Sequence, residues 1–290
     1  MDIHHTLDGM RRQVREWRLA GESIAFVPTM GNLHGGHYGL VDYARTLATR
    51  VVVSIFVNPT QFGPTEDFAN YPRTLDADAA GLRAHGTASI YVPSMHEIYP
   101  FGDTVAWVDV PSLSEILCGA VRPGHFRGVA TVVARLFNHV LPDIAVFGDK
   151  DFQQLMVIQR MSTDLGFPIE IRGAPIARDP DGLAMSSRNQ YLTADERGRA
   201  AMLYAQLQAV VEGVRAGHPA VHTCFEAIEK LKSAGFRPDY VQVRRRADLG
   251  EATTMDEDLI VLAAAFLGRA RLIDNIPFTK QAGHAAVSRS

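Results

Sequence analysis

The feature that most constrains the fold is a strand-to-helix turn near the N-terminus. An apolar run at residues 24–27 predicts a buried strand, which Pro28 and Gly31 end. Two histidines, His34 and His37, then open a segment whose apolar residues recur at helical spacing. The free N–H groups and the dipole of a helix N-terminus favour a bound phosphate. In a parallel sheet this turn also lies at the carboxyl end of a strand, where ligands bind.

Two other interpretations of the His34–His37 pair stay open from the spacing alone. Either histidine could be a helix-capping or surface residue. The pair could also supply two metal ligands on one helical face, although no nearby His, Cys or carboxylate cluster offers a third. The phosphate interpretation therefore depends on the rest of the chain.

Strand and helix patterns alternate through the first part of the chain. A continuous β-branched run at residues 50–57 predicts a strand buried on both faces, and with the preceding strand and helix it forms a βαβ unit. The alternation predicts a doubly wound parallel, Rossmann-like α/β sheet. Further strands are expected at residues 89–92, 105–108, 143–147 and 169–171, and helices at residues 5–19, 75–85 and 127–141 and from Leu155 to Leu165.

Polar residues follow several of these strands. Asn58 and Gln61 are neutral amides suited to hydroxyls or a carboxylate, although Asn58 alone would equally fit a turn. Lys150 follows the strand at residues 143–147, where a lysine is a natural partner of phosphate oxygens. Two flanking aspartates leave open that Lys150 is only a solvated charge. Together the turns would form one crevice suited to a nucleoside triphosphate and a small polar partner.

The C-terminal part of the chain has a different pattern. Helices at residues 194–216 and 220–234, followed by short strands at residues 240–243, 259–266 and 270–275, predict a smaller α+β domain. We place the boundary between domains 1–177 and 178–290, so that the second begins with a polar loop. This loop carries Ser186, Ser187 and Arg188 and could close over a triphosphate. The tail from Lys280 is expected to be disordered.

Composition narrows the class of protein. Among 290 residues the net charge is −3, which gives no electrostatic footprint for nucleic acid. No apolar run is long enough to predict a membrane span. Two cysteines, Cys118 and Cys224, lie in no motif and are expected to be reduced thiols of a cytoplasmic protein. The turns match neither a dinucleotide-binding fingerprint nor a P-loop.

Six ordered blocks resemble the pantoate–β-alanine ligase family of the nucleotidylyl-transferase superfamily. A His-x-Gly-His block alone would indicate only the superfamily, whereas the six together indicate one family. The blocks are Pro28-Thr29-Met30-Gly31 through His34-x-Gly36-His37, Ser54-Ile55-Phe56-Val57-Asn58-Pro59-x-Gln61-Phe62, Tyr71-Pro72-Arg73-Thr74, Arg122-Pro123-x-His125-Phe126, Gly148-x-Lys150-Asp151-x-Gln153-Gln154 and Gly182-Leu183-Ala184-Met185-Ser186-Ser187-Arg188-Asn189.

This resemblance implies an ATP-dependent ligase that works in two half-reactions. Pantoate would attack the α-phosphate of ATP to give pantoyl adenylate and pyrophosphate, and β-alanine would then displace AMP to give pantothenate. The resemblance also implies Mg²⁺ with ATP, a cytoplasmic homodimer and a role in coenzyme A biosynthesis. Rival functions are a nucleotidyl transferase for another small acid, a non-catalytic nucleotide-binding protein and a zinc hydrolase using the two histidines.

The resemblance also assigns roles to the site residues. His34, His37 and Lys150 would be catalytic and hold the phosphates. ATP would further contact Met30, Gly148, Asp151, Met185, Ser186, Ser187 and Arg188, and pantoate would contact Asn58, Gln61 and Gln154. The ligands of Mg²⁺ stay open, because Ala77 stands where relatives frequently carry a polar or acidic residue. If that position holds the metal in relatives, Asp78 or water must serve here.

Overall fold

The chain divides into two compact units, Met1–Ala177 and Arg178–Ser290. The computed structural model describes residues 1–63, 68–102 and 106–280.

The N-terminal unit is built on a sheet of six parallel strands. Their order across the sheet is β1-β4-β3-β2-β5-β6. The strands are β1 (Asp2–His4), β2 (Ile24–Thr29), β3 (Arg50–Ile55), β4 (Ser89–Tyr91), β5 (Ile144–Gly148) and β6 (Glu170–Ala174). The predicted parallel sheet is confirmed.

The strand order makes the sheet doubly wound. From β2 the chain builds outward through β3 and β4, then returns to the other side of β2 for β5 and β6. The order therefore reverses between β2 and β5, where Phe26 is in register with Ala145. Such a switch point opens a crevice at the carboxyl ends of the two strands, where ligands bind in folds of this type.

Strand β1 was not predicted from the sequence. Its three residues include only one large aliphatic side chain, Ile3, which is in register with Ile90 at the outer edge of the sheet. An edge strand of this length carries too few apolar residues for a periodicity to emerge.

Helices cover both faces of this sheet. Val27 and Val53 pack with helices α2 and α3 in one apolar cluster, whereas the alternate residue Phe26 meets Phe137 of α6. The helices of this unit are α1 (Leu7–Leu19), α2 (Gly35–Leu47), α3 (Leu75–Ala84), α4 (Met95–Ile98), α5 (Cys118–Val121), α6 (His125–Val140) and α7 (Phe152–Asp164).

Two local predictions in this unit are wrong. Residues 106–108 form no strand, and Val105 lies outside the described residues. Leu165 is 54% exposed rather than buried, because α7 ends at Asp164 and Gly166 turns the chain away with φ +66°.

The C-terminal unit packs three helices against a three-stranded antiparallel sheet, ordered β7-β8-β9. Its strands are longer than predicted: β7 (Phe236–Arg245), β8 (Asp258–Leu267) and β9 (Ala270–Thr279). The single helix predicted for residues 194–216 is two helices, α8 (Ala194–Ala200) and α9 (Met202–Arg215), followed by α10 (Ala220–Ser233). The α8–α9 break falls at Ala201, where no glycine or proline signals it. The predicted disordered tail beyond Lys280 lies outside the described residues.

Candidate active site

The two histidines cap the helix that follows β2. His34 is the N-cap of α2, and its Nδ1 accepts a hydrogen bond from the main-chain N–H of Gly36 at 3.1 Å. The Nδ1 of His37 accepts from the main-chain N–H of His34 at 3.4 Å, and the ring centroids lie 4.2 Å apart. Since both Nδ1 atoms act as acceptors, each neutral ring carries its proton on Nε2. The capping interpretation is thus confirmed, and each ring carries an N–H group on Nε2.

The environment keeps His37 uncharged. Burial of the ring is the main cause that lowers the pKa of His37 to about 3, and electrostatic interactions with the neighbouring His34 and Lys150 add to it. His37 is therefore a neutral donor near pH 7.

A buried carboxylate holds the loop between β2 and α2. Asp78 of α3 is 2% exposed, and its Oδ1 accepts from the N–H of Leu33 at 2.8 Å. Its Oδ2 accepts from the N–H of Asn32 at 3.0 Å and from the Thr74 hydroxyl at 3.1 Å. Gly31 turns this loop with φ +82°, a conformation that disfavours other residues. These contacts fix the main chain that leads into His34.

Lys150 lies in the short 3₁₀ turn Asp149–Asp151 that follows β5, across the switch point from β2. Asp151 is exposed and precedes α7 without making a side-chain cap. Gly148 ends β5, and a Cβ there would meet only the Leu40 side chain at 3.9 Å. A Cβ atom at position 148 would therefore not collide with neighbouring protein atoms.

The turn after β3 holds Asn58 and Gln61. Asn58 is 1% exposed and donates from Nδ2 to Gln61 Oε1 at 3.1 Å and to the main-chain oxygen of Gly128 at 3.2 Å. Its Oδ1 accepts from the hydroxyls of Tyr99 and Thr60. All the donors and acceptors of the Asn58 amide are therefore engaged within the protein. The Nε2 of Gln61 instead lies 3.1 Å from the Met30 sulfur.

The two glutamines at the start of α7 lie in different environments. Gln154 is half-buried. Gln153 is buried and donates to the main-chain oxygens of Leu113 and Ile116, while its Oε1 accepts from the N–H of Cys118. No role for Gln153 was predicted from the sequence. Its contacts hold the irregular segment at residues 113–118 against α7.

Sequence reasoning also missed the residues that support Gln61. His125 Nδ1 lies 2.8 Å from the main-chain oxygen of Gln61, and the Arg122 guanidinium lies 2.9 Å from His125 Nε2. Arg122 and His125 belong to one of the six blocks that resemble the family, and this resemblance was the only sign in the sequence that they matter to the site. Tyr99 and Thr60 belong to no catalytic pattern, and only the folded contacts reveal them.

In the C-terminal unit the predicted phosphate loop has a defined conformation. Ser186 caps the 3₁₀ helix Ser187–Tyr191 by accepting from the N–H of Arg188 at 3.2 Å. The base of the loop is held by Arg178, which makes two hydrogen bonds to the buried carboxylate of Asp274 at 2.6 and 2.8 Å. Met185, Ser186, Ser187 and Arg188 are half-buried.

The described residues provide no group of three or more His, Cys, Asp or Glu side chains that could hold a metal ion. Asp78 is a poor candidate for a magnesium ligand, because its side chain is buried and already accepts three hydrogen bonds, from the loop and from Thr74. Ala77 has no ligand atom. Neither of the two described cysteines, Cys118 and Cys224, forms a disulfide, and both are buried. No helix in the described part of the chain is both long and apolar enough to cross a membrane.

A doubly wound sheet with paired histidines at its switch point places the chain among nucleotide-binding α/β proteins. A family model described as pantoate–β-alanine ligase matches residues 2–277. The chain belongs to the pantoate–β-alanine ligase family, whose members are ligases that form a C–N bond in an ATP-dependent condensation.

Curated relatives and solved structures agree with this membership. The chain is 54% identical to a pantothenate synthetase from Shewanella amazonensis over 94% of this chain and 98% of the relative, and 53% identical to one from Methylococcus capsulatus over 95% and 97%. A Thermus thermophilus pantothenate synthetase superposes with a TM-score of 0.89 at 43% identity, covering 95% of this chain and 99% of that one. A Francisella tularensis ligase, complexed with β,γ-ATP and β-alanine, superposes with a TM-score of 0.81 at 32% identity, covering 98% and 99%.

Proposed function

We propose that the chain condenses pantoate with β-alanine through a pantoyl adenylate. A carboxylate oxygen of pantoate forms a bond to the α-phosphorus of ATP as pyrophosphate leaves. The amine of β-alanine then forms a bond to the acyl carbon as AMP leaves. One observation carries this proposal: neutral His37 and the N-cap His34 open a helix at the switch point, and Lys150 follows the strand across it.

The first half-reaction needs charge compensation more than it needs a base. The carboxylate of pantoate is ionised near pH 7 and is already a nucleophile. We assign the Nε2–H groups of His34 and His37 to phosphate oxygens at the N-terminus of α2. Lys150 would balance the negative charge that grows on the α-phosphate and the bridging oxygen.

Pantoate binding is assigned to the amide side chains near the carboxyl ends of β3 and β5. Gln61 and Gln154 are proposed to contact its hydroxyls and carboxylate directly. We revise the part of Asn58, because a residue with 1% exposure and a fully engaged amide acts on pantoate only by holding Gln61. Met30 lines the same region, since its sulfur lies 3.1 Å from Gln61 Nε2.

The remaining nucleotide contacts are proposed from the resemblance to the family. Asp151 would bind the ribose, and Gly148 would let the main chain approach the nucleotide. Within the C-terminal unit, Met185, Ser186, Ser187 and Arg188 would bind the β- and γ-phosphates. The N–H groups at the start of the 3₁₀ helix Ser187–Tyr191 suit that part.

Magnesium, a homodimer and a cytoplasmic location are also proposed on the resemblance alone. Magnesium keeps several waters and is commonly held through substrate phosphates. Since Asp78 is committed to the β2–α2 loop, we propose that the ion enters with the triphosphate as its hydrated complex. In the second half-reaction the amine of β-alanine must lose a proton before it attacks, and we propose water as the acceptor.

Pyrophosphate release tests the order of these steps. Enzyme in large amount, mixed with ATP and pantoate but no β-alanine, should release pyrophosphate up to about one equivalent per active site. Adding β-alanine should start turnover and release AMP. A reaction without pantoate is the control and should stay at background. Pyrophosphate that forms only when β-alanine is present would contradict the adenylate.

A further inference from the structure

Two amide side chains meet after β3, and their orientation decides what the site can recognise. An amide group has a donor end and an acceptor end of nearly equal shape. The end of Gln61 that faces the substrate therefore determines whether a substrate atom must accept or donate a hydrogen bond. The contacts around Asn58 fix this choice.

The main chain of α6 sets the first orientation. The oxygen of Gly128 accepts hydrogen bonds and cannot donate them, so the Asn58 atom 3.2 Å away must be Nδ2. The same Nδ2 lies 3.1 Å from the Gln61 amide, so the Gln61 atom facing it must be the acceptor Oε1. The Nε2 of Gln61 is thereby directed away from Asn58, to a position 3.1 Å from the Met30 sulfur. A thioether is a weak acceptor, so this N–H₂ group suits a stronger acceptor on a substrate.

The other end of Asn58 is held by two hydroxyls. Tyr99 donates to Asn58 Oδ1 at 2.7 Å, and Thr60 donates to the same atom at 3.0 Å. Burial raises the pKa of Tyr99, so its hydroxyl stays protonated and remains a donor. Arg135 of α6 fixes the tyrosine, since it donates to the oxygen of Ile98 at 2.6 Å and lies 5.0 Å from the centre of the Tyr99 ring.

The main chain of Gln61 is held independently of its side chain. Arg122 is only a donor, so His125 must accept on Nε2 and carry its proton on Nδ1. That Nδ1–H donates to the main-chain oxygen of Gln61 at 2.8 Å. The backbone and the amide of Gln61 are thus both oriented by the protein before a substrate arrives.

We propose that Tyr99, acting through Asn58, is a positioning residue that makes Gln61 present an N–H donor to the substrate. This subsite then favours a substrate group that accepts a hydrogen bond over one that can only donate. In pantoate the accepting group would be a hydroxyl or carboxylate oxygen. The inference rests on the proposed contact between Gln61 and pantoate.

Four variants, one of them a control, test it by steady-state kinetics with pantoate and with ATP, alongside thermal unfolding. Tyr99→Phe removes the hydroxyl and should raise the KM for pantoate about tenfold, with the KM for ATP within about twofold of wild type. Tyr91→Phe is the matched control, because it loses a buried hydroxyl bound to His139 at 2.8 Å, and this hydroxyl is not among the hydrogen-bond partners of the Asn58 amide. It should lower stability to a similar degree and leave the KM for pantoate unchanged.

Gln61→Glu tests the polarity of the contact. The carboxylate would still accept from Asn58, but it would present an oxygen where the N–H₂ group was. We expect kcat/KM for pantoate to fall ~10²-fold or more, and further than in Gln61→Ala, because an acceptor then faces an acceptor. The melting temperature should stay near that of wild type.

The outcomes separate the two proposals. Unchanged kinetics in Gln61→Ala would remove Gln61 from pantoate binding, and the inference would fall with it. The positioning inference would be overturned by a different set of results. In that set Gln61→Ala raises the KM for pantoate, Tyr99→Phe leaves this KM unchanged, and Gln61→Glu lowers kcat/KM no further than Gln61→Ala does. The proposed contact between Gln61 and pantoate would then still hold.

Discussion

Replacing Lys150 with alanine is expected to lower kcat by ~10²–10³-fold, the usual cost of removing one group that stabilises transition-state charge. Lys150 lies in the turn that follows β5, and its positive charge contributes to the lowered pKa of His37. Because the proposed nucleophile is already ionised, we expect charge compensation to be the main chemical contribution of the protein to the proposed first half-reaction. Single-turnover pyrophosphate release measures this effect directly.

Arg160→Ala provides the matched control for Lys150. Arg160 lies further along α7 and makes an exposed ion pair with Asp164 at 2.8 Å. Its loss removes a positive charge from the same part of the chain at a cost of less than about 1 kcal/mol in stability. Wild-type pyrophosphate release in Lys150→Ala would remove the lysine from the chemistry.

Substitution of Gly128 by alanine is expected to damage pantoate recognition from within a helix. A Cβ at this position would meet the main-chain oxygen of Thr60 at 2.3 Å and the nitrogen of Gln61 at 2.8 Å. Backbone atoms cannot move aside as side chains do, so the turn that carries Asn58 and Gln61 must shift. We expect a loss of about 1–3 kcal/mol in the free energy of unfolding, as in overpacked cores, and a fall of at least tenfold in kcat/KM for pantoate.

The comparison with Gly39→Ala isolates this steric effect. Gly39 lies in α2, and a Cβ there would meet nothing within 4 Å. Both substitutions gain the same helix propensity, up to about 1 kcal/mol, so Gly39→Ala should be neutral or stabilising and fully active. Chemical denaturation and pantoate kinetics on the two variants give the contrast. Equal behaviour of the two would show that the close approach of α6 to Thr60 does not position Gln61.

The fold was predictable because its strands carry a strong local signal. The run at residues 50–57 has β-branched residues in succession, and its neighbours alternate with amphipathic helices. The edge strand β1 and the break at Ala201 have no such signal, since three residues show no period and alanine is a good helix former.

The position of the candidate site followed from topology, whereas its supporting contacts did not. His34 and Lys150 follow strands β2 and β5, and parallel strands bring their carboxyl ends to one edge. The part of Asn58 depends on Tyr99 and Gly128, which lie 41 and 70 positions away along the chain. The sequence pattern around Asn58 does not show that every donor and acceptor of its amide is bonded within the protein. The sequence therefore predicted the residue, whereas the supporting part that we propose for it rests on the folded contacts.

The fate of isotope in the pantoate carboxylate tests the central claim most directly. Pantoate labelled with ¹⁸O in both carboxylate oxygens is converted with ATP and β-alanine, and the products are analysed by mass spectrometry. Attack on the α-phosphorus predicts one labelled oxygen in AMP and the other in the amide carbonyl of pantothenate, with pyrophosphate unlabelled. Label in pyrophosphate or inorganic phosphate, with none in AMP, would show attack at another phosphorus and contradict the account.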